Sequence, residues 1–356
     1  MKSFMDAPSA FDGMPADVGV LLGRIDVSKG REQLYEVQLP ELLQALSEQS
    51  RVESIRASIA IEGIEVDDDR AERLARPDQP RPRNRSEKEF AGYRDAIDEM
   101  MRADRLEHPT VPYMLHLHRV IFQYTDARGG YLKTEDNLIA TREGDHRRID
   151  FKPPAWQETE SLLRSMFDGY RAALANEQAH PLVLLSALVL DFLAIHPVLD
   201  GNGRTARLLT THELVRLGYG VARYSSVEQR IWETKNRYYQ ALRDSQEGWL
   251  EGGHSIWPWG RYLAGVISDC YERFEQGVTA TRDTSGMNKQ ERVQHWVRNL
   301  AGDEFRLQDV RRALPGVSDQ TIRLALEPLK AQGLLRAESS GRGARWIRVP
   351  RSEGHG

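Results

Sequence analysis

Hydrophobic positions recur at helical spacing through most of the chain, and they are densest in PLVLLSALVLDFLAI, residues 181–195. Segments near 86–103, 112–123, 156–176, 204–217, 226–245 and 256–276 share this period, which predicts a helical block over about 90–280. Upstream, PELLQALSEQSRVESIRASIAIEG places Leu42, Leu43, Leu46, Val52, Ile55 and Ile59 close to one face. Pro40 suits a first helical turn and Gly63 a stop. One stretch breaks the helical period. GGYLKTEDNLIATREGDHRRIDFKPP opens on two glycines, closes on two prolines and has a turn at Glu143-Gly144-Asp145, which predicts a β-hairpin inserted among helices. After the polar break TRDTSGMNK, residues 288–350 read as helices, a helix-turn-helix with Ser318 as N-cap of its second helix, and a two-stranded wing ending in RWIRV.

The expected fold is mainly α, and four regions follow from the pattern. They are an N-terminal helical region (1–66), a charged, proline-rich surface connection (67–89), the helical core with its hairpin (90–280) and a C-terminal winged helix-turn-helix domain (288–350).

Composition narrows the setting. A chain of 356 residues with 40% hydrophobic and 29% charged positions is ordinary for a cytosolic globular protein. The net charge of −4 argues against coating nucleic acid along the whole length. One cysteine, Cys270, excludes an intrachain disulfide framework and a Cys-rich zinc site. Asp6, Asp12 and Asp17 interrupt the first twenty residues, so no secretory signal is expected. The 181–195 run is too short to span a bilayer and contains Asp191. A cytoplasmic protein without membrane contact is the expectation.

Directly after that run comes HPVLDGNGRTAR, residues 196–207. Gly201-Asn202-Gly203 stands at the start of a helix, where unpaired amides and the helix dipole favour an anion and glycines admit a phosphate close to the backbone. Arg204 and Arg207 follow at a spacing of three, which puts both guanidinium groups on one helix face. Asp200 beside phosphates suits Mg²⁺, a hard cation that prefers oxygen ligands. His196 can take a proton near neutral pH. Base, metal carboxylate, anion cradle and arginine pair suit phosphoryl or nucleotidyl transfer. His116 and His118 also form an HxH pattern, but residues two apart on a helix do not face each other, so a structural role is expected.

The stretch resembles the Fic-domain signature HPFx(D/E)GNGRxxR and departs from it at Val198, where the family carries a phenylalanine expected to anchor the loop in the core. The resemblance extends over most of residues 40–276. It implies a protein adenylyltransferase that moves AMP from ATP to a Ser, Thr or Tyr hydroxyl of a target protein. On that reading His196 is the base and Asp200 holds Mg²⁺. The 201–204 amides with Asn202 stabilise charge at the α-phosphate, and Arg204 and Arg207 clamp the β- and γ-phosphates. Residues 200–207, including Thr205 and Ala206, would form the ATP site, with Tyr239 of NRYYQAL against the adenine. The hairpin resembles the family's target-docking flap, assigned to Asn137, Leu138 and Ile139, which pairs with a target by β-strand addition.

A second pattern, Ser58 to Gly63, resembles the family's inhibitory motif (S/T)xxxE(G/N). Its position at the end of a helix preceding the core makes Glu62 the expected partner of Arg207, with Ser58 one turn earlier on the same face. Residues 288–356 carry 13 Lys+Arg against 8 Asp+Glu, a net of 13 − 8 = +5, and Arg342, Arg345 and Arg348 sit on or beside the wing, which is compatible with DNA as a partner. A second copy of the chain stays open as a partner too. Two rival functions remain: removal of AMP from a modified protein, and a DNA-binding regulator whose Fic-like domain only senses nucleotide.

Overall fold

The computed structural model describes residues 3–4, 8–76, 80–103, 105–143, 146–283, 286–299, 301–314, 316–338 and 345–349. They form two compact units, one of residues 1–32 with 50–271 and the other of residues 33–49 with 272–356. In chain order the elements begin with α1 (Ala16–Gln38), α2 (Pro40–Ile61), α3 (Asp68–Leu74), α4 (Arg85–Arg102) and α5 (Val111–Phe122). Next come the hairpin β1 (Ile139–Glu143) and β2 (His146–Phe151), then α6 (Thr159–Ala175), α7 (Pro181–Ile195) and α8 (Asn202–Arg216). Short α9 (Val221–Tyr224), α10 (Val227–Glu233) and α11 (Lys235–Gln246) lead into the long α12 (Trp257–Asp283). The chain closes with α13 (Lys289–Asn299), β3 (Glu304–Arg306), α14 (Leu307–Ala313), α15 (Asp319–Ala331), β4 (Leu335–Ala337) and β5 (Arg345–Arg348). The fold is mainly α with two small antiparallel sheets.

In the first unit α7 is buried from Leu182 to Ile195, as its unbroken apolar run requires. Its one charge, Asp191, is fully buried because it accepts hydrogen bonds from Ser3 N, Ser3 Oγ and Trp249 Nε1. The C-terminal part of α2 packs through Ile55 and Ile59 into a core shared with Leu74, Phe90, Ile121 and Leu208. This core brings the end of α2 to the start of α8. In β1–β2 the register pairs Ile139 with Phe151 and Ala140 with Ile149, with an irregularity between Ile139 and Ala140. Gly144 and Asp145 of the expected turn lie outside the described residues.

Three elements differ from the sequence pattern. Helix α1 does not stand out in the hydrophobic pattern because its buried stripe of Val18, Leu22 and Ile25 continues into an acid, Glu32, which is buried because Tyr271 donates to it. The stretch 67–89, expected as a mobile connection, contains α3. Asp67 caps it, and Arg70 is buried in a two-bond ion pair with Glu87. The expected helix at 226–245 is interrupted at Thr234, whose hydroxyl turns back to Arg230 O and bonds Tyr262 Oη.

In the second unit the three-stranded sheet has the order β3-β5-β4, and Val310, Ile322, Leu326, Leu329 and Trp346 contribute to its apolar core. Ser318 Oγ accepts from Thr321 N and caps α15, which carries Pro328 in its interior. Arg345 pairs with Glu304, and Arg348 donates to the carbonyls of Ala301 and Arg298, while Arg342 lies outside the described residues. Among the described residues no helix is long and apolar enough to cross a membrane.

Candidate active site

The site forms where α7 ends and α8 begins. Pro197 disfavours the helical conformation in the residue before it, so α7 stops at His196, which takes the left-handed conformation (φ 50°, ψ 61°). A non-glycine residue there carries strain, so the surrounding contacts must hold it. His196 Nδ1 lies 3.3 Å from Leu193 O. A carbonyl only accepts, so Nδ1 carries the proton and Nε2 keeps its lone pair. Burial lowers the ring's pKa to about 4, opposed by the Leu193 bond and the Glu62 charge and aided by Lys133. His196 is therefore a neutral base at pH 7.

The loop from His196 to α8 is fixed from within. Asn202 Oδ1 accepts from Val198 N at 3.0 Å and its Nδ2 donates to Val198 O at 2.7 Å. The Asn202 side chain thus shapes the loop, a bonding that the sequence reading, which put Asn202 with the loop amides at the α-phosphate, does not include. Val198 is fully buried, so the smaller side chain still anchors the loop in the core. Gly201 begins α8 at φ 85°, and a Cβ there would meet Phe122 at 2.7 Å. His118 Nδ1 accepts from Gly130 N, so its Nε2 carries the proton and donates to Asp200 O at 2.9 Å. The expected structural role of His118 is what the contacts display.

The two arginines divide their work. Arg204 is 2% exposed, and its guanidinium reaches Glu89 at 2.6 Å, Asp200 at 3.1 Å and the face of Phe122 at 4.8 Å. The sequence reading puts it in a phosphate clamp; Glu89 and Asp200 hold its terminal nitrogens, and its Nε is buried and has no hydrogen-bond partner among the described residues. A buried guanidinium needs a nearby anion, and Glu89 supplies it. Arg207 donates through Nε to Ser58 Oγ at 2.9 Å, and through Nη2 to Ser58 O at 2.9 Å and Glu62 Oε1 at 2.7 Å. Its Nη1 is buried and, among the described residues, has no hydrogen-bond partner.

Glu62 reaches this place through the way α2 ends. Ile64 N bonds Ile59 O and Gly63 N bonds Ala60 O, with Gly63 at φ 78°. This double bond pattern around a left-handed glycine closes a helix and leaves Glu62 as its C-cap. A Cβ on Gly203 would lie 2.5 Å from Glu62 Oε1 and 3.1 Å from Arg207 Nη1. The carboxylate therefore occupies the space that glycine opens at the start of α8, where the helix favours an anion. Burial pushes the Glu62 pKa up, but Arg207, then Arg204 and Lys235, outweigh it and hold the carboxyl below its usual range. Glu62 keeps 32% of its side-chain surface, so it can leave without unfolding the core.

Gly203→Ala should therefore lower Tm in the wild type and less so when Glu62 is also glycine. A thermal double-mutant cycle checks this, and equal losses in both backgrounds would detach Gly203 from Glu62.

The remaining sequence candidates are dispersed. Thr205 and Ala206 are 0% and 1% exposed and point into the core. Tyr238 is buried against Trp259 and Tyr262, whereas Tyr239 is half-buried with its hydroxyl 3.4 Å from Ile61 O. Leu138 is 41% exposed and Ile139 half-buried, whereas Asn137 turns inward and donates to His196 O and Val198 O. Asp200 keeps 58% of its side-chain surface and one oxygen is bound by Arg204, so it can offer oxygen to a cation that retains waters and substrate ligands. Glu89 and Lys133 were missed, since both stand in charged or loop stretches that read as solvated.

Residues 109–214 match the model of the Fic/DOC family. Distant homologues include the protein adenylyltransferase Fic of Culex quinquefasciatus, 30% identical over 165 residues, covering 46% of this chain and 28% of that protein. The Drosophila yakuba counterpart is 28% identical over the same length and shares. The chain thus spans under a third of the curated relatives it matches. A Fic family protein from Desulfovibrio desulfuricans G20 shares the fold over 96% of this chain and 99% of its own, with a TM-score of 0.60 at 20% identity. Residues 134–508 of Fic-1 from C. elegans share it over 75% and 74%, with a TM-score of 0.58 at 17% identity. The matched segment contains the 196–207 loop and excludes Glu62 and Tyr239.

Proposed function

We propose that this protein transfers AMP from ATP to a Ser, Thr or Tyr hydroxyl of a target protein and is restrained by its own Glu62. The observation that carries this reading is the Glu62 carboxylate seated over Gly203 on the Arg207 fork, an anion already in a cradle beside a neutral base. The spare Arg207 Nη1 donor and the room that Gly203 leaves fit a phosphate once Glu62 withdraws. His196 Nε2 takes the proton of the target hydroxyl, whose oxygen bonds the α-phosphorus as the bond to the β-phosphate oxygen breaks and pyrophosphate leaves. The α8 amides hold charge on the phosphate oxygens and Arg207 holds the terminal phosphates. Asp200 would hold Mg²⁺, which supplies charge neutralisation on the phosphates. The exposed Leu138 and Ile149 of the hairpin suit a target strand laid beside it. Incubation with α-phosphate-labelled ATP and cell lysate, followed by mass spectrometry, tests the reading. Absence of any +AMP product from wild type and Glu62→Gly overturns it.

The C-terminal elements are proposed to form a winged helix-turn-helix, supported by the succession α14, α15, β4, β5 and the capped α15. Arg345 and Arg348 are engaged within the unit, so a DNA contact would rest on other basic groups such as the exposed Arg323.

The pH profile has a definite sign. Burial favours neutral His196, so in the free enzyme the base stays competent well below pH 6.5 and is lost as pH falls toward about 4. Bound ATP adds negative charge and stabilises the imidazolium. The acid limb of kcat/KM should thus lie at lower pH than that of kcat, read from initial rates across the profile. Coincident limbs near 6.5 would remove burial as the control.

A further inference from the structure

Four successive carbonyls of the His196 loop are bound by two residues of the hairpin's incoming stem. Lys133 Nζ donates to Ile195 O at 3.1 Å and Lys133 N to Pro197 O at 2.8 Å. Asn137 Nδ2 donates to His196 O at 3.2 Å and Val198 O at 3.1 Å. The same Lys133 ammonium reaches Asn137 Oδ1 at 3.1 Å and, in the outgoing stem, Pro154 O at 3.0 Å. All three of its N–H bonds are used, although the residue is only 2% exposed. Burial lowers the ammonium pKa to about 8, with Asp136 acting the other way. Asp136 Oδ1 also accepts from Trp156 N, a further tie between the stems.

A buried cation among carbonyls costs free energy in a helical core unless its bonds are made, and here they link the His196 loop to both stems of the hairpin. That loop holds His196 in a left-handed conformation which a histidine adopts only under constraint. The ammonium also faces the C-terminal carbonyl of α7, where the helix dipole favours positive charge. None of these bonds touches the Gly203–Arg207 cradle.

We infer that Lys133 and Asn137 are positioning residues that hold the His196 loop and tie it to the hairpin, so that a target strand seated on β1–β2 bears directly on the base. The inference rests on the transferase reading for its kinetic arm. Lys133 and Asn137 act through the backbone of 195–198 and touch neither ATP nor the reacting hydroxyl.

The test compares Lys133→Met, Asn137→Ala and the double variant in the full chain, each with Glu62→Gly so that transfer is measurable. Each single change should lower kcat by about 10- to 100-fold with KM for ATP within about twofold, because a small misplacement of the base is costly while the cradle is untouched. The double variant should lose less than the product of the two, since both changes open one clasp. Hydrogen exchange supplies a readout without catalysis. Amides of 195–200 and 131–138 should exchange faster together in either variant, while those of 204–207 keep their rates. Unchanged kcat in the folded variants overturns the inference, as does a parallel fall in ATP affinity, or exchange that rises in one segment alone. If Lys133→Met fails to fold, Asn137→Ala carries the same measurements without burying a new group. If the Glu62→Gly parent transfers no AMP, the reaction reading has failed, and coupled exchange still decides the clasp.

Discussion

Replacing His196 with alanine is expected to reduce AMP transfer by about 10²- to 10⁴-fold, the usual worth of a positioned base, and to leave ATP affinity within about twofold. Among the described residues the ring makes one hydrogen bond, Nδ1 to Leu193 O, so its removal takes little from the loop. The backbone stays held by Lys133, Asn137 and Asn202, whose bonds end on carbonyls and amides that alanine also has. The proposed nucleotide cradle is built by other residues, Gly203 and Arg207 of α8. Label transfer and an ATP binding isotherm, taken on one preparation, separate the two effects. Transfer near the wild-type rate would deprive His196 of its role, and a matching loss of binding would mark a collapsed loop.

The local signal was strongest where the chemistry is most concentrated. Two glycines around an asparagine, after a run that can only be a buried helix, place a helix N-terminus and its anion cradle without any tertiary knowledge. The pairing of Glu62 with Arg207 was legible for a related reason: a helix stop at Gly63 fixes where the carboxylate stands, and residue spacing puts Ser58 above it. What the sequence did not disclose are partners distant in the chain. Glu89 reads as one charge on a charged helix, yet it is buried by Arg204, which lies 115 positions later. That ion pair buries Arg204 and sets it against Asp200, a support that the spacing of the arginines does not reveal. Asn202 reads as a phosphate contact because its neighbours are glycines, but a short polar side chain in a tight loop satisfies the loop's own backbone first. Lys133 reads as a solvated loop residue, and only the convergence of three segments explains its burial. Helix α3 is hidden for the opposite reason, since prolines and charges around it mask a short helix whose buried arginine pairs with Glu87.

Glu62→Gly should raise automodification or target labelling at least tenfold, which corresponds to about 1.4 kcal/mol. The pair it removes is one-sided in burial: Arg207 is 3% exposed, and Glu62 keeps 32% of its side chain open to water. Solvent screening on the carboxylate keeps the pair's worth modest, so a tenfold gain is a bounded expectation rather than the full strength of a buried ion pair. The gain arises at Arg207, which on losing Glu62 can offer Nη1 and one N–H of Nη2 to phosphate while Ser58 still holds Nε through its hydroxyl and Nη2 through its carbonyl. Glycine at 62 does not disturb the helix end, because Gly63, Ala60 and Ile64 make the closing bonds through their backbones. Arg207→Ala should show no such gain, since it removes the phosphate ligand together with the restraint, and the double variant should resemble Arg207→Ala. Labelling rates for the four proteins, with Tm as a check on folding, form the experiment. Equal labelling by wild type and folded Glu62→Gly would leave the carboxylate a simple helix cap. If wild type instead removes AMP from a modified protein and Glu62→Gly loses that activity, the carboxylate's exposed oxygen is better read as the group that orients the attacking water.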